Sequence, residues 1–178
     1  MKNKAVFLDR DGVLSKKLKV HHYIFSLEEL KRNLFQDIQG PLRQLKEQGY
    51  LLIIVTNQSA INKKLITREE YSSMVGCLKT FGIDEVYTCP HNPLKEDCNC
   101  RKPKTGMLEQ ASIDYNIDFQ NSWLIGDEAS DIQAGNLAGC KTIQILAGHD
   151  HDGLIREANF IARNLSEAAN YILEYTNK

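Results

Sequence analysis

Short apolar runs recur along the chain at residues 5–8, 51–55, 86–87, 123–125 and 142–146. Each is too short for a buried helix, so each reads as a buried strand. Between them, apolar positions at helical spacing predict helices over 40–47, 68–81, 106–115, 130–137 and 167–175. Thr67, with Glu70 three residues on, has the form of a capping box for the second of these. Parallel neighbours need crossovers and crossovers are usually helical, so the alternation predicts an α/β, doubly wound, mostly parallel sheet with helices on both faces.

Composition narrows this picture. At 178 residues and 42% hydrophobic, the chain has apolar material for one core but hardly for two. No repeat, low-complexity tract or Gly/Ser/Pro-rich linker divides it, so one domain over 1–178 is expected. The formal net charge of -1 supplies no overall attraction to nucleic acid or an anionic membrane, and any anion must be held locally. With no signal-peptide core and no apolar run of membrane-spanning length, a cytoplasmic protein with no nucleic-acid or membrane partner, and a monomer, is expected.

Polar residues follow three of the strongest strands: Asp9 and Asp11 after the first, Thr56 and Asn57 after the second, and Asp127 after the fourth. In an open parallel sheet these are the carboxyl ends, where ligands bind. Any one of them alone could be a turn former or a helix cap; together they form a convergent polar set. Two or three carboxylates can hold Mg²⁺. A carboxylate beside it can attack phosphorus, and a second acid two residues on can protonate the leaving oxygen. Thr56, Asn57 and Lys102 can supply the donors and the cation that a transferring phosphoryl group requires.

The stretch Phe7-Leu8-Asp9-Arg10-Asp11-Gly12-Val13-Leu14 resembles the first motif of the haloacid-dehalogenase-like (HAD) phosphatases. Thr56 looks like their second motif, Lys102 in Arg101-Lys102-Pro103 like the third, and Gly126-Asp127 with Asp131 like the acidic fourth. The resemblance spans residues 5–146 and implies a capless, Rossmann-like fold. It makes Asp9 the nucleophile and Asp11 the general acid and base. It assigns Mg²⁺ to Asp9, the backbone carbonyl of Asp11 and Asp127, with Asp131 as support. The substrate-binding set is Thr56, Asn57, Gln58, Arg101 and Lys102.

Three of the five cysteines crowd one segment. Cys89, His91, Cys98 and Cys100 make a full tetrahedral set for structural Zn²⁺, in a loop inserted after the third strand. The plainer alternative is free thiols in a flexible loop, but residues 92–99 are poor in apolar side chains and a closed metal site would supply the free energy of ordering. The loop leads into Arg101 and Lys102, so its role would be to position those cations. Cys77 and Cys140 read as core residues. The pairs Lys16-Lys17 and Lys63-Lys64 read as solvated surface.

The arrangement resembles the branch that contains the heptose 1,7-bisphosphate 7-phosphatases and the histidinol-phosphate phosphatases. Thr56-Asn57-Gln58-Ser59 and Gly106-Met107-Leu108 favour the heptose side. The implied substrate is a small phosphorylated metabolite, a sugar bisphosphate of cell-envelope precursor synthesis. Two departures stand out. Ala60-Ile61-Asn62-Lys63-Lys64 replaces the branch's usual Gly-Ile-Ala-Arg-Gly, and Glu128 stands where it usually has Lys or Arg. A carboxylate at 128 repels a phosphate dianion unless it points away or finds a cation. Phosphatases acting on nucleic-acid ends and a zinc-stabilised binding protein without activity are the competing readings. His21-His22 lacks an identifiable partner, and His149-Asp150-His151-Asp152 reads as exposed loop.

Overall fold

The computed structural model describes residues 2–18, 23–146 and 154–176. Six strands form one parallel sheet: β1 Ala5–Leu8, β2 Leu51–Asn57, β3 Glu85–Cys89, β4 Trp123–Gly126, β5 Lys141–Ile145 and β6 Phe160–Ala162, in the spatial order β3-β2-β1-β4-β5-β6. The helices are α1 Leu27–Asn33, α2 Gln39–Glu47, α3 Arg68–Lys79, α4 Gly106–Tyr115, α5 Ala129–Ala138 and α6 Leu165–Thr176. The chain starts mid-sheet, winds outward through β2 and β3, and returns to the other side of β1 at β4. That reversal makes the crevice between the carboxyl ends of β1 and β4 the natural ligand site.

The central strands lack polar alternation because both faces are covered. Val6, Leu8, Leu52, Ile54 and Ile125 pack with Leu30, Leu42, Met74 and Ile172, from helices α1, α2, α3 and α6. Phe7, Ile53, Val55 and Leu124 pack on the opposite side with Met107, Leu108, Ala111 and Ala134, from α4 and α5. The expected doubly wound α/β class is thus observed. Among the described residues, no helix is long and apolar enough to cross a membrane.

Some local expectations need correction. Helix α1 and strand β6 were not foreseen, being only seven and three residues long. Thr67 caps α3 by accepting from the Glu70 N–H at 3.1 Å, but the reciprocal half of the box is missing, because the Glu70 carboxylate accepts from Leu27 N–H at 2.9 Å and ties α3 to α1. Cys140 lies in the core as expected, whereas Cys77 is only half-buried on α3. His21-His22 and His149–152 lie outside the described residues.

Candidate active site

The β1–β4 pairing continues one residue past β1, since Asp9 N–H donates to the Ile125 carbonyl at 3.0 Å. The chain then turns sharply, with Leu14 and Ser15 N–H both donating to the Arg10 carbonyl. Gly12 sits at φ +89°, and a Cβ there would fall 2.3 Å from Asp127 Cγ. The turn therefore packs against Asp127 only because the residue is glycine. A Cβ on Gly126 would likewise fall 2.2 Å from Asp131 Cβ, which brings the fourth-motif acids against the end of β4.

Lys102 reaches into this edge from the loop after β3. Its buried ammonium lies 2.8 Å from Asp9 Oδ1 and 2.6 Å from Asp131 Oδ1, and it donates to the Val55 carbonyl at 2.7 Å. Asn57 fixes the Lys102 backbone from both sides: its Oδ1 accepts from Lys102 N–H at 3.1 Å and its Nδ2 donates to the Lys102 carbonyl at 3.3 Å.

Asp11 is held differently. Arg10 grips it with Nε at 3.0 Å and Nη2 at 2.7 Å, and Ser15 Oγ and Gln58 Nε2 each donate to it at 2.9 Å. Against the cost of burial, the Arg10 charge and these hydrogen bonds hold its carboxyl below the usual aspartate range. Gln58 also donates to Thr56 Oγ1 at 2.9 Å, linking Thr56 to Asp11.

Asp9, Asp127 and Asp131 offer oxygens that all lie within 4.8 Å of one another. Burial, only partly offset by Lys102, pushes the Asp9 carboxyl up to about 7, with Asp131, Asp11 and Asp127 adding to the rise. Burial and Asp131 push Asp127 up to about 6 against the pull of Lys17. The Oδ1 of Asp127 is buried without a hydrogen-bond partner. Crowded carboxylates, with the Asp127 oxygen met by no cation, suit a hard divalent ion such as Mg²⁺, which takes oxygen ligands and keeps room for phosphate oxygens. In front of them opens a cavity of about 330 Å³, lined also by Thr56, Arg101 and Lys102 and within the range of small-molecule sites. Arg101 Nη1 is buried without a partner.

The second cluster follows β3. The sulphur of Cys89 lies 3.7 Å from that of Cys98 and 3.6 Å from His91 Nδ1, which is 3.2 Å from Cys100 Sγ. Tetrahedral Zn²⁺ requires ligand separations of about 3.8 Å between sulphurs and about 3.5 Å between sulphur and nitrogen, which these distances match. Burial and the neighbouring Cys89 and Cys98 push the Cys100 thiol up to about 12, so three thiolates would coexist here only around a cation. The loop closes on α4 through Gly106 N–H, which donates to the Asn99 carbonyl at 3.0 Å; a Cβ on Gly106 would meet that oxygen at 2.5 Å.

Residues 99–168 match the HAD-hydrolase-like family model. D-glycero-beta-D-manno-heptose-1,7-bisphosphate 7-phosphatase of Haemophilus ducreyi is 38% identical over 80% of this chain and 82% of its own length. The alpha-anomer enzyme of Campylobacter jejuni is 37% identical over 98% of both. The solved D,D-heptose 1,7-bisphosphate phosphatase of B. bronchiseptica, complexed with magnesium and phosphate, superposes with a TM-score of 0.80 at 25% identity, covering 97% of this chain and 99% of its own. The chain belongs to the HAD-like phosphatases.

For a HAD-like phosphatase, the sequence identified the converging groups but misjudged several partners. Lys17 is not solvated surface: its ammonium lies 3.0 Å from Asp127 Oδ2 and 2.5 Å from Glu128 Oε1. Glu128 therefore has its cation. Nor is Lys63 merely solvated, since it donates at 2.6 Å to the Oη of Tyr23, a residue that lines the cavity. Asn57 and Gln58, expected on substrate, line the cavity, and their amides there hold Lys102, Asp11, Thr56 and Arg10. Arg10 was missed entirely. A cation between two acids at a strand end was the available signal, and it is 2% exposed.

Proposed function

We propose that the chain is a Mg²⁺-dependent heptose 1,7-bisphosphate 7-phosphatase, working as one domain with a structural Zn²⁺ in the loop after β3. The observation that carries this reading is the buried Asp9–Lys102–Asp131 array beside Asp127, with its unsatisfied Oδ1, at the β1/β4 crevice. The relatives named for this substrate support the sugar assignment.

In this mechanism Lys102 holds Oδ1 of Asp9 and leaves Oδ2 to attack phosphorus. An oxygen–phosphorus bond forms on Asp9 as the bond from phosphorus to the C7 oxygen breaks, and Asp11 gives its proton to that oxygen. Asp11 then takes a proton from water, which attacks the aspartyl-phosphate and frees inorganic phosphate and Asp9. Asp11 must first take up a proton from solvent and give up part of its grip on Arg10 and Gln58, because as it stands it is a fully bonded carboxylate. Arg101 binds the phosphoryl oxygens, with the Thr56 hydroxyl and backbone donors of the Asp9–Asp11 turn, while Lys102, its three donors held by Asp9, Asp131 and the Val55 carbonyl, lends them its charge. Mg²⁺ held by Asp9, the Asp11 carbonyl and Asp127, with Asp131 in support, would neutralise charge on the transferring group.

The test is phosphate release from both anomers of D-glycero-D-manno-heptose 1,7-bisphosphate and from histidinol phosphate. Turnover of a heptose substrate well above that of histidinol phosphate is expected. The reverse ranking would assign the chain to the histidinol-phosphate enzymes. The binding-only alternative loses one of its two motives, since Lys17 compensates Glu128. The other, the altered loop over 60–64, is tested by Mg²⁺-dependent hydrolysis of an aryl phosphate that Asp9→Asn abolishes. Activity on small phosphates retained at high salt is expected, against a nucleic-acid-end phosphatase.

A further inference from the structure

Lys17 is the cation at this site that none of the four motifs accounts for. It lies just beyond the first-motif turn and lines the cavity shared by Asp9, Arg101 and Lys102. Its side chain keeps 35% of its exposure, so the ammonium is anchored yet open to the pocket. Two of its three N–H donors are engaged, by Asp127 Oδ2 at 3.0 Å and Glu128 Oε1 at 2.5 Å, and the third is available.

Glu128 makes this cation necessary. It stands immediately after Asp127 at the start of α5, on a cavity already lined by Asp9, Asp11, Asp127 and Asp131. A fifth carboxylate there, left without a cation of its own, would oppose entry of a phosphate dianion. Lys17 does not compete for a metal either. The buried Oδ1 of Asp127 is the one without a partner, so a divalent cation can use it while Lys17 stays on Oδ2.

We propose that Lys17, held over the pocket by Glu128, is a phosphate-binding residue of this chain: it cancels the Glu128 charge and presents its remaining donor to the phosphorylated ligand. The proposal rests on the phosphatase reading of the site and deepens it. The cation comes from the segment after β1, and its anchor from the turn between β4 and α5.

The test is calorimetric titration of Mg²⁺-loaded protein with inorganic phosphate, beside titration of the metal-free protein with Mg²⁺ alone. In Lys17→Met the phosphate Kd should rise by about tenfold or more, because a charge-assisted contact is lost and Glu128 is left bare. Its Mg²⁺ Kd should stay the same or fall, since a like charge has gone. Lys17→Arg should keep phosphate binding within a few-fold, and Lys17→Met with Glu128→Gln should recover only the share of the loss that the bare Glu128 carboxylate causes, binding phosphate better than Lys17→Met and more weakly than wild type. Should Lys17→Met fail to fold, the exchange Lys17→Glu with Glu128→Lys keeps an ion pair over the pocket and should retain phosphate binding.

A Lys17→Met phosphate Kd within twofold of wild type would overturn the proposal, as would loss of phosphate binding by a folded, Mg²⁺-competent charge exchange. So would a tenfold loss of Mg²⁺ affinity in Lys17→Met, which would make Lys17 a device for orienting Asp127. Wild-type protein that binds Mg²⁺ but not phosphate would sink the phosphatase reading as well. Heptose bisphosphate left intact while phosphate binds normally would touch only the sugar assignment.

Discussion

The two candidate metal centres are built in opposite ways. The acidic centre draws Asp9, Lys102, Asp127 and Asp131 from far apart in the chain and buries them at the edge of a sheet that is already packed. The sulphur centre takes Cys89, His91, Cys98 and Cys100 from one short segment whose residues 93–97 are exposed. In the first, the fold holds the ligands, and a cation relieves crowded charge that the fold imposes. In the second, a cation is what would hold the loop, since almost nothing apolar does. Their meeting point is Lys102, whose backbone follows the sulphur loop and whose ammonium sits among the acids.

Breaking the acidic centre should cost the most activity and the least structure. Asp9→Asn is expected to lower kcat by about 10⁴-fold or more, since it removes the proposed nucleophile. Its zinc content and thermal midpoint should stay near wild type or rise, because a buried carboxylate pushed up to about 7 has been neutralised. A simultaneous loss of zinc would mean that the two centres are not separately built.

Breaking the sulphur centre should reverse that pattern. Cys98→Ser, assayed with Mg²⁺ in excess, should bind no zinc and expose residues 89–101 to rapid amide exchange while β1, β2 and β4 stay protected. Activity should drop by roughly 10–100-fold through misplacement of Arg101 and Lys102. Unchanged activity after verified zinc loss would separate the loop from the chemistry.

Gly12→Ala tests how closely the first-motif turn approaches Asp127. A side chain at φ +89°, 2.3 Å from Asp127 Cγ, should destabilise the protein by about 3 kcal/mol, read from the denaturant midpoint, and impair Mg²⁺ binding.

The smallest effect concerns pH. Asp9 and Asp127 are raised from the ordinary 3.8 to about 7 and about 6, so the metal-free fold binds more protons than the unfolded chain between about pH 4 and 7. Their contribution to stability therefore falls as pH rises through that window. Mg²⁺ requires the ionised forms, so its stabilisation of the fold, read as a thermal shift, should be about twofold larger or more at pH 8 than at pH 5. Asp127→Asn should flatten that dependence.

The strand ends were legible before the structure because a parallel sheet buried on both faces writes itself as short apolar runs, and the residue after each run falls at the carboxyl edge. Asp9, Asp11, Thr56 and Asp127 were found that way, and Cys89, His91, Cys98 and Cys100 by close spacing. Helix α1 and β6 escaped because so short a segment shows no full period. The Glu70 carboxylate escaped because its partner, Leu27, lies 43 residues away.

What the sequence determined by itself was the set of reactive groups and the sheet edge that gathers them, since both follow from local pattern. Tertiary structure alone decided which partner each group serves. Lys17 meets Glu128 across 111 residues, Gln58 holds Asp11 across 47, and Asn57 clamps Lys102 across 45. No periodicity records such pairs, because they depend on how crossovers return the chain to one crevice, and there a charge on one segment is answered by a charge on another.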